Sequence, residues 1–461
     1  MRHRWSGWIV LAAVAAFAEM SPAQVKRPGS IVVEPPPRPA VKNPPKEWID
    51  KDTGHRVFRL TDEPNSGAPY FNDNAFTPDG KQMVYTSPKG IHVLTLATRA
   101  SKLLVPKPAR FIVVGHETPT VYFAKTDDTT KLQTVYAADI PTGEVRKLVT
   151  LPPRASVSTV NADETLAAGT YIEGTAGEDY NQQNPPGNQQ RPAAGQPKPG
   201  STVQTEAAPN VQPLYKHEMM DRRLAARLPL VLFTINLKTG KLTTLMHSTD
   251  WINHLLFSPT DPTLLMYCHE GRQWKVDRIW TIRTDGSQNM LVHKRNMAME
   301  ITVHEFWAPD GKTIWYDWHY PYAETFFVAG YNLETHTRTA YHLERNDWSI
   351  HYNVSPDGKL FAGDGADPGQ SAAAPDGEWI ELFHPEPITA EGELNEPDFW
   401  QPGLFRTEHL VNMKWHDYRM EPNVRFTPDS KMVIFSSNMF GPSYVFGVEV
   451  EKAAPASAKR H

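Results

Sequence analysis

The sequence predicts an all-β protein built as a seven-bladed β-propeller. Two observations carry this: a turn motif that returns seven times, and short strands of even spacing between its copies. The motif is apolar-x-Pro-Asp-Gly-Lys. It reads Phe76-Thr77-Pro78-Asp79-Gly80-Lys81, Trp307-Ala308-Pro309-Asp310-Gly311-Lys312, Val354-Ser355-Pro356-Asp357-Gly358-Lys359 and Phe426-Thr427-Pro428-Asp429-Ser430-Lys431. Weaker copies are Phe257-Ser258-Pro259-Thr260-Asp261 and Val160-Asn161-Ala162-Asp163. A seventh, without Pro-Asp, is Glu117-Thr118-Pro119-Thr120. Pro fixes φ and Asp-Gly accepts a positive φ, so each copy is a tight turn feeding a strand. Self-similarity at about 40–50 residues marks propeller blades.

In chain order, residues 1–23 read as a signal peptide. Arg2, His3 and Arg4 are a basic start, Trp8 to Ala18 is a short apolar run, and Ser21-Pro22-Ala23 is a small-residue cleavage site. The expected location is therefore periplasmic or secreted, with no membrane attachment after cleavage. Residues 24–47 are Pro-rich and read as extended or disordered. The propeller is expected over 48–452, opening on the strand His55-Arg56-Val57-Phe58-Arg59-Leu60. Each turn is followed by a strand, a loop and a strand ending in a second turn, as at Tyr136–Ile140, Phe233–Leu237 and Ile279–Ile282. Residues 173–211, rich in Gly, Gln, Asn and Pro, cannot bury a core and read as a disordered insertion. Residues 365–409 read as a second, better-structured insertion. The last strands, Val433–Phe435 and Tyr444–Val450, are expected to share a blade with the first and close the ring, leaving 453–461 as a disordered tail.

Bulk composition removes several functions. A net charge of −5 gives no general attraction to nucleic acid or anionic lipid. A single cysteine, Cys268, forbids an internal disulfide, so core burial must supply stability. There is no G-x-S-x-G, no phosphate-cradling glycine loop and no paired-Cys zinc pattern.

Histidines mark the candidate site. His254, His304 and His351 each stand three residues before the apolar turn residue of their blades; Asn423 holds that position in the last blade. Equivalent positions in successive blades surround the propeller axis, so three imidazoles should converge there as a metal or acid–base cluster. Glu421 lies two residues before Asn423, on the same side by strand alternation. His304 and Glu421, with His351 and Asn423, are the expected ligands of one divalent cation. The mixed nitrogen and oxygen donors suit Mn²⁺ first, with Ca²⁺ or Mg²⁺ as alternatives. Arg222, Arg223 and Arg227 follow the insertion as a solvated face or an anion clamp.

Several blocks together resemble a known family, the oligogalacturonate lyases, propellers that cleave uronate oligomers by β-elimination. They are Gly54-His55 to Thr61, Tyr70-Phe71, Trp251-Ile252-Asn253-His254, Cys268-His269-Glu270-Gly271, His304-Glu305-Phe306-Trp307, Gly363-Asp364-Gly365 and Phe435-x-Ser437-Asn438. The resemblance implies that His254 is the catalytic base, that His304 binds a metal, and that Arg227 or Arg223 holds a substrate carboxylate. His269, Trp251 and Tyr418 are expected against the substrate. The last blade departs from the family. Tyr418 stands where the family has Gln, and Glu421-Pro422-Asn423 where it has His-Pro-His. The function this implies is an exported lyase acting on uronate oligosaccharides. The alternative is a non-catalytic periplasmic propeller that binds a protein or a cell-wall component.

Overall fold

The computed structural model describes residues 41, 43–174, 216–366, 374–389 and 399–454. The expected signal peptide, the Pro-rich segment up to residue 40, the tail from 455, and all but the first two residues of the 173–211 insertion lie outside them.

All seven repeated turns connect the first and second strands of a blade, and the blades follow in chain order. Blade 1 pairs Gln82–Ser87, Gly90–Thr95 and Ala100–Pro106, its inner strand reduced to a bridge between Phe76 and Met83. Blade 2 runs from Arg110–Val114 to Val145–Thr150 and blade 3 from Ser156–Val160 to Leu242–Ser248. Blade 4 runs from Trp251–Phe257 to Met290–Leu291 and blade 5 from Ile301–Trp307 to Arg338–His342. Blade 6 holds Tyr352–Val354, Phe361–Gly363, Trp379–Pro387 and Trp400–Asn412. Blade 7 joins both ends of the fold: Arg425–Phe426, Met432–Ser437 and Tyr444–Lys452 pair onward with His55–Arg59 and Glu47–Ile49. This closure leaves no open sheet edge between the ends of the ring.

Each blade buries both faces against its neighbours, so the core is a set of inter-blade layers. Ile112, Val135, Val157 and Phe233 pack between blades 2 and 3, and Phe326, Trp348, Tyr352 and Phe383 between blades 5 and 6. First strands of adjacent blades touch, placing them at the axis.

One sequence expectation changes. Residues 365–409 are not an insertion: Trp379–Pro387 and Trp400–Asn412 are the outer strands of blade 6. The long strand Trp400–Asn412 also pairs in parallel with Arg338–His342, fusing blades 5 and 6 into one eight-stranded sheet. The spacing disguised this because more residues separate Gly363 from Trp379, and Pro387 from Trp400, than an ordinary blade turn needs. A ten-residue helix, α1 (Lys216–Ala225), precedes the third strand of blade 3 and carries Arg222 and Arg223 in its last turn.

Candidate functional site

The common histidine register is built by the backbone. Blades 4 and 5 each carry a β-bulge, between Asn253 and Leu256 and between Val303 and Phe306. Within them His254 and His304 take left-handed conformations, φ 46° and 53°, and Asn423 does the same at φ 58°. Such a conformation costs a non-glycine residue about 1 kcal/mol or more. A bulge breaks strand alternation and re-aims one side chain, here toward the axis.

His254 donates from Nε2 to Glu270 Oε2 at 3.2 Å. Burial alone would raise the Glu270 carboxyl; the Arg278 guanidinium, 2.9 Å from Oε1, and His254 override it and hold it well below the usual carboxylate range. An ionised carboxylate only accepts, so Nε2 carries a proton toward Glu270 and Nδ1 is the nitrogen on the far side of the ring. Arg278 is itself buried and bridges two blades, because its Nε donates to Glu305 Oε2 at 2.8 Å.

His304 and His351 form the second half of the site, ring centroids 4.8 Å apart. His304 Nδ1 contacts Asp317 Oδ2 at 2.6 Å and His351 Nδ1 contacts Asp364 Oδ2 at 2.8 Å. Carboxylates behind imidazoles in this way orient them as metal ligands. His351 Nε2 is buried without a hydrogen-bond partner and lies 3.8 Å from Glu421 Oε2. Burial, with the charges of Asp364 and Glu305 nearby, pushes the Asp317 carboxyl well up. Burial, with Glu421 and Glu305, likewise pushes the Tyr70 phenol well up. The loop carrying Tyr70 and Phe71 dips into this cluster, Phe71 stacking on His351 at 4.6 Å. Arg425 fastens the loop through Pro69, Tyr70 and Asp73 carbonyls. Beneath it a channel of about 470 Å³ is lined by Asp73, His116 and Arg425. Burial raises the Asp73 carboxyl to about 7 there, with Arg425, His254 and Arg110 opposing.

On the rim, His269 Nδ1 meets Asp250 Oδ2 at 3.0 Å and its ring stacks on Trp280. Asp250 also pairs with Arg227. Arg223 lies over the Trp251 ring at 5.7 Å.

The residues from 208 to 454 match the family model described as oligogalacturonate lyase, which is more than half of the chain. The chain belongs to the oligogalacturonate lyase family. It is 28% identical over 220 residues to an oligogalacturonate lyase of Dickeya dadantii, a stretch covering 48% of this chain and 55% of that protein. A Pectobacterium atrosepticum oligogalacturonide lyase matches at 28% over 229 residues, again 55% of its length. The chain thus spans about half the length of the curated relatives it matches. Two solved structures share the architecture: an oligogalacturonate lyase in complex with manganese and one from Vibrio parahaemolyticus. Each has a TM-score of 0.65, 20% identity, and coverage of 88% of this chain and 96% of theirs.

The fold brings His254, His304, His351 and Glu421 to the axis, and His269, Trp251, Arg223 and Arg227 to the blade 3–4 rim. Two residues depart from the expectation. Tyr418 is 2% exposed; its hydroxyl donates to the Asp364 carbonyl at 3.2 Å, so it braces Asp364 and presents nothing to a ligand. Asn423 Oδ1 accepts from the Phe71 amide at 3.1 Å and Nδ2 donates to the Glu421 carbonyl at 2.9 Å. Its side chain holds the axial loop instead of offering itself to an ion. Among the described residues, His304, His351 and Glu421 are not one of the ligand-type trios that close to within 4.8 Å; His254, Cys268 and Glu270 are.

Arg278 escaped the sequence reading, because a lone arginine between strands carries no motif. Asp73 had a usable signal: it stands three residues before Phe76, the register of the three histidines.

Proposed function

We propose that this protein is an exported polysaccharide lyase that cleaves short uronate-containing oligosaccharides of the pectin type by β-elimination. The observation that carries the reading is His254, its tautomer set by ionised Glu270, beside two carboxylate-backed imidazoles. Elimination across C4–C5 of a uronate removes the weakly acidic C5 proton; the C–H electrons form the C4=C5 double bond as the C4–O bond breaks, and the leaving oxygen takes a proton from solvent to become a free hydroxyl. His254 Nδ1 takes the proton, and Glu270 steadies the imidazolium that results. Arg223 or Arg227 holds a substrate carboxylate at the rim, where Arg227 already has an acid partner in Asp250.

The residues present suit a divalent cation. His351 Nε2 is an orphaned buried nitrogen, and His304 and Glu421 stand beside it. These three would hold the ion, Mn²⁺ first, as in the manganese complex of the structural relative. When bound, it would neutralise the uronate carboxylate and stabilise charge developing next to it. Export rests on residues 2–23 of the sequence.

Absorbance near 235 nm, where the unsaturated product absorbs, tests the reading on oligogalacturonate, rhamnose-containing pectin fragments and ulvan. His254→Ala should lose about 10²–10⁴-fold in turnover while keeping its fold and metal content. Exhaustive chelation should abolish activity and Mn²⁺ should restore it. Flat traces on every substrate with full metal supplementation would leave a non-catalytic binding propeller.

A further inference from the structure

Blade 6 carries a second cluster of ligand-type side chains, outside the axial site. Asp347 ends the 3-10 turn Arg345–Asp347 that leads into the blade. Glu381 and His409 lie on its two outer strands and are direct cross-strand partners, so the register sets both on one face. A carboxylate oxygen from each acid and an imidazole nitrogen all lie within 4.8 Å of one another.

The state of Glu381 separates this cluster from an ordinary acidic patch. The residue is 0% exposed. Its Oε2 accepts from Ser349 Oγ at 3.0 Å, but Oε1 is buried with no hydrogen-bond partner. That oxygen stands 3.8 Å from His409 Nε2, beyond hydrogen-bond reach. Leaving such an acceptor buried and unmet is costly, and more so when it is charged. The His409 ring does not close this gap; it is stacked on Trp379 with centroids 4.3 Å apart. Asp347 is held by Thr407 Oγ1, which donates to Oδ2 at 2.6 Å. The cluster opens on a cavity of about 700 Å³. The cations on that cavity's wall are already paired, Arg406 with Glu386 at 3.2 Å and Lys452 with Glu408 at 3.1 Å.

We propose that Asp347, Glu381 and His409 form a divalent-cation site with the chemistry of Zn²⁺ or Mn²⁺, separate from the axial cluster and independent of the lyase reading. One imidazole and two carboxylates match the donor preferences of these ions, whereas Ca²⁺ and Mg²⁺ favour all-oxygen shells. Bonds of about 2.0–2.2 Å hold donor atoms roughly 3–4 Å apart, so small side-chain shifts close the trio on one ion. The two carboxylate charges then balance the ion, and the orphaned oxygen gains its partner. The ion would tie the entry turn of blade 6 to both outer strands. It would also steady the axial site from behind: Ser349 Oγ accepts from the Gly365 amide at 3.0 Å, one residue past the Asp364 that orients His351.

The test uses the purified protein, stripped by chelator and equilibrated separately with Zn²⁺ or Mn²⁺. Bound metal is counted by elemental analysis and calorimetric titration. Wild type should hold about one equivalent more than each of Glu381→Gln, Asp347→Asn and His409→Ala. Its Zn²⁺-dependent rise in Tm should exceed that of each of these variants, which keep only the axial cluster. His304→Ala should retain this equivalent. Glu381→Gln keeps the side-chain shape and removes a buried charge, so it remains a folded comparator, checked by circular dichroism, even where His409→Ala does not. Wild-type stoichiometry in folded Glu381→Gln would overturn the inference. So would a wild type that binds no Zn²⁺ or Mn²⁺ beyond what His304→Ala removes; a proton on Glu381 would then satisfy the pair.

Discussion

Replacing Glu270 by Gln keeps the side-chain shape and removes its charge. In the folded protein this carboxylate accepts from His254 Nε2 at 3.2 Å and from Arg278 Nη1 at 2.9 Å. Arg278 would not be orphaned, because Glu305 still accepts from it at 2.8 and 3.3 Å. The stability loss should therefore resemble one charge-assisted hydrogen bond, about 2 kcal/mol. Stranding a buried charge would cost about 3–5 kcal/mol. Turnover should suffer more. Two unit charges about 4 Å apart attract by about 4 kcal/mol at an effective dielectric constant of about 20. Spreading the imidazolium charge over its ring lowers this to roughly 2–3 kcal/mol, or about 10²-fold in kcat. KM should stay within about twofold, since the charge acts on the proton-transfer state and not on bound substrate. Initial rates at 235 nm, with thermal melts on the same preparation, measure both quantities. Melts across pH add a third reading. The folded-state pKa of Glu270 is depressed from its ordinary 4.5, so its stabilisation is present above that value and fades as pH falls toward the folded pKa. The variant should lack that part of the acid sensitivity. A variant with kcat within threefold of wild type would refute the role given to Glu270.

Other outcomes follow from the same geometry. The Asp73 carboxyl is raised from 3.8 to about 7, so it stabilises the fold fully below about 4 and the benefit is lost as pH rises through 7. Asp73→Asn should accordingly gain Tm relative to wild type between pH 4 and 8, and a pH-independent difference would contradict the raised value. Tyr418→Phe should cost about 1 kcal/mol of stability through the lost bond to the Asp364 carbonyl and leave KM unchanged. A tenfold rise in KM at constant Tm would restore Tyr418 to the substrate surface.

Much of the architecture was legible in the sequence because turn chemistry is local. Pro-Asp-Gly specifies its own dihedrals, so the inner turns that carry it could be located from residue types, and the spacing between them pointed to the weaker copies. The histidine register was legible for the same reason, each imidazole standing at a fixed distance from such a turn. The electrostatic frame was not. Arg278 pairs with Glu305, 27 positions away, and Ser349 with Glu381, 32 positions away. Nothing about either residue alone announces its partner. Residues 365–409 misled because strand pairing with blade 5, not local pattern, makes Trp400–Asn412 a strand.

Residue types and their spacing sufficed for the blade count, the closure of the ring by both ends, and which imidazoles share one register. These follow from periodicity and turn type, which are properties of contiguous residues. How those imidazoles are aimed and partnered came from long-range packing. Bulges at His254 and His304 re-aim them, buried acid groups orient them, and the Tyr70–Phe71 loop covers them. It also decided that Tyr418 and Asn423 are braces, since burial and hydrogen-bond occupancy depend on which distant segments pack against a side chain.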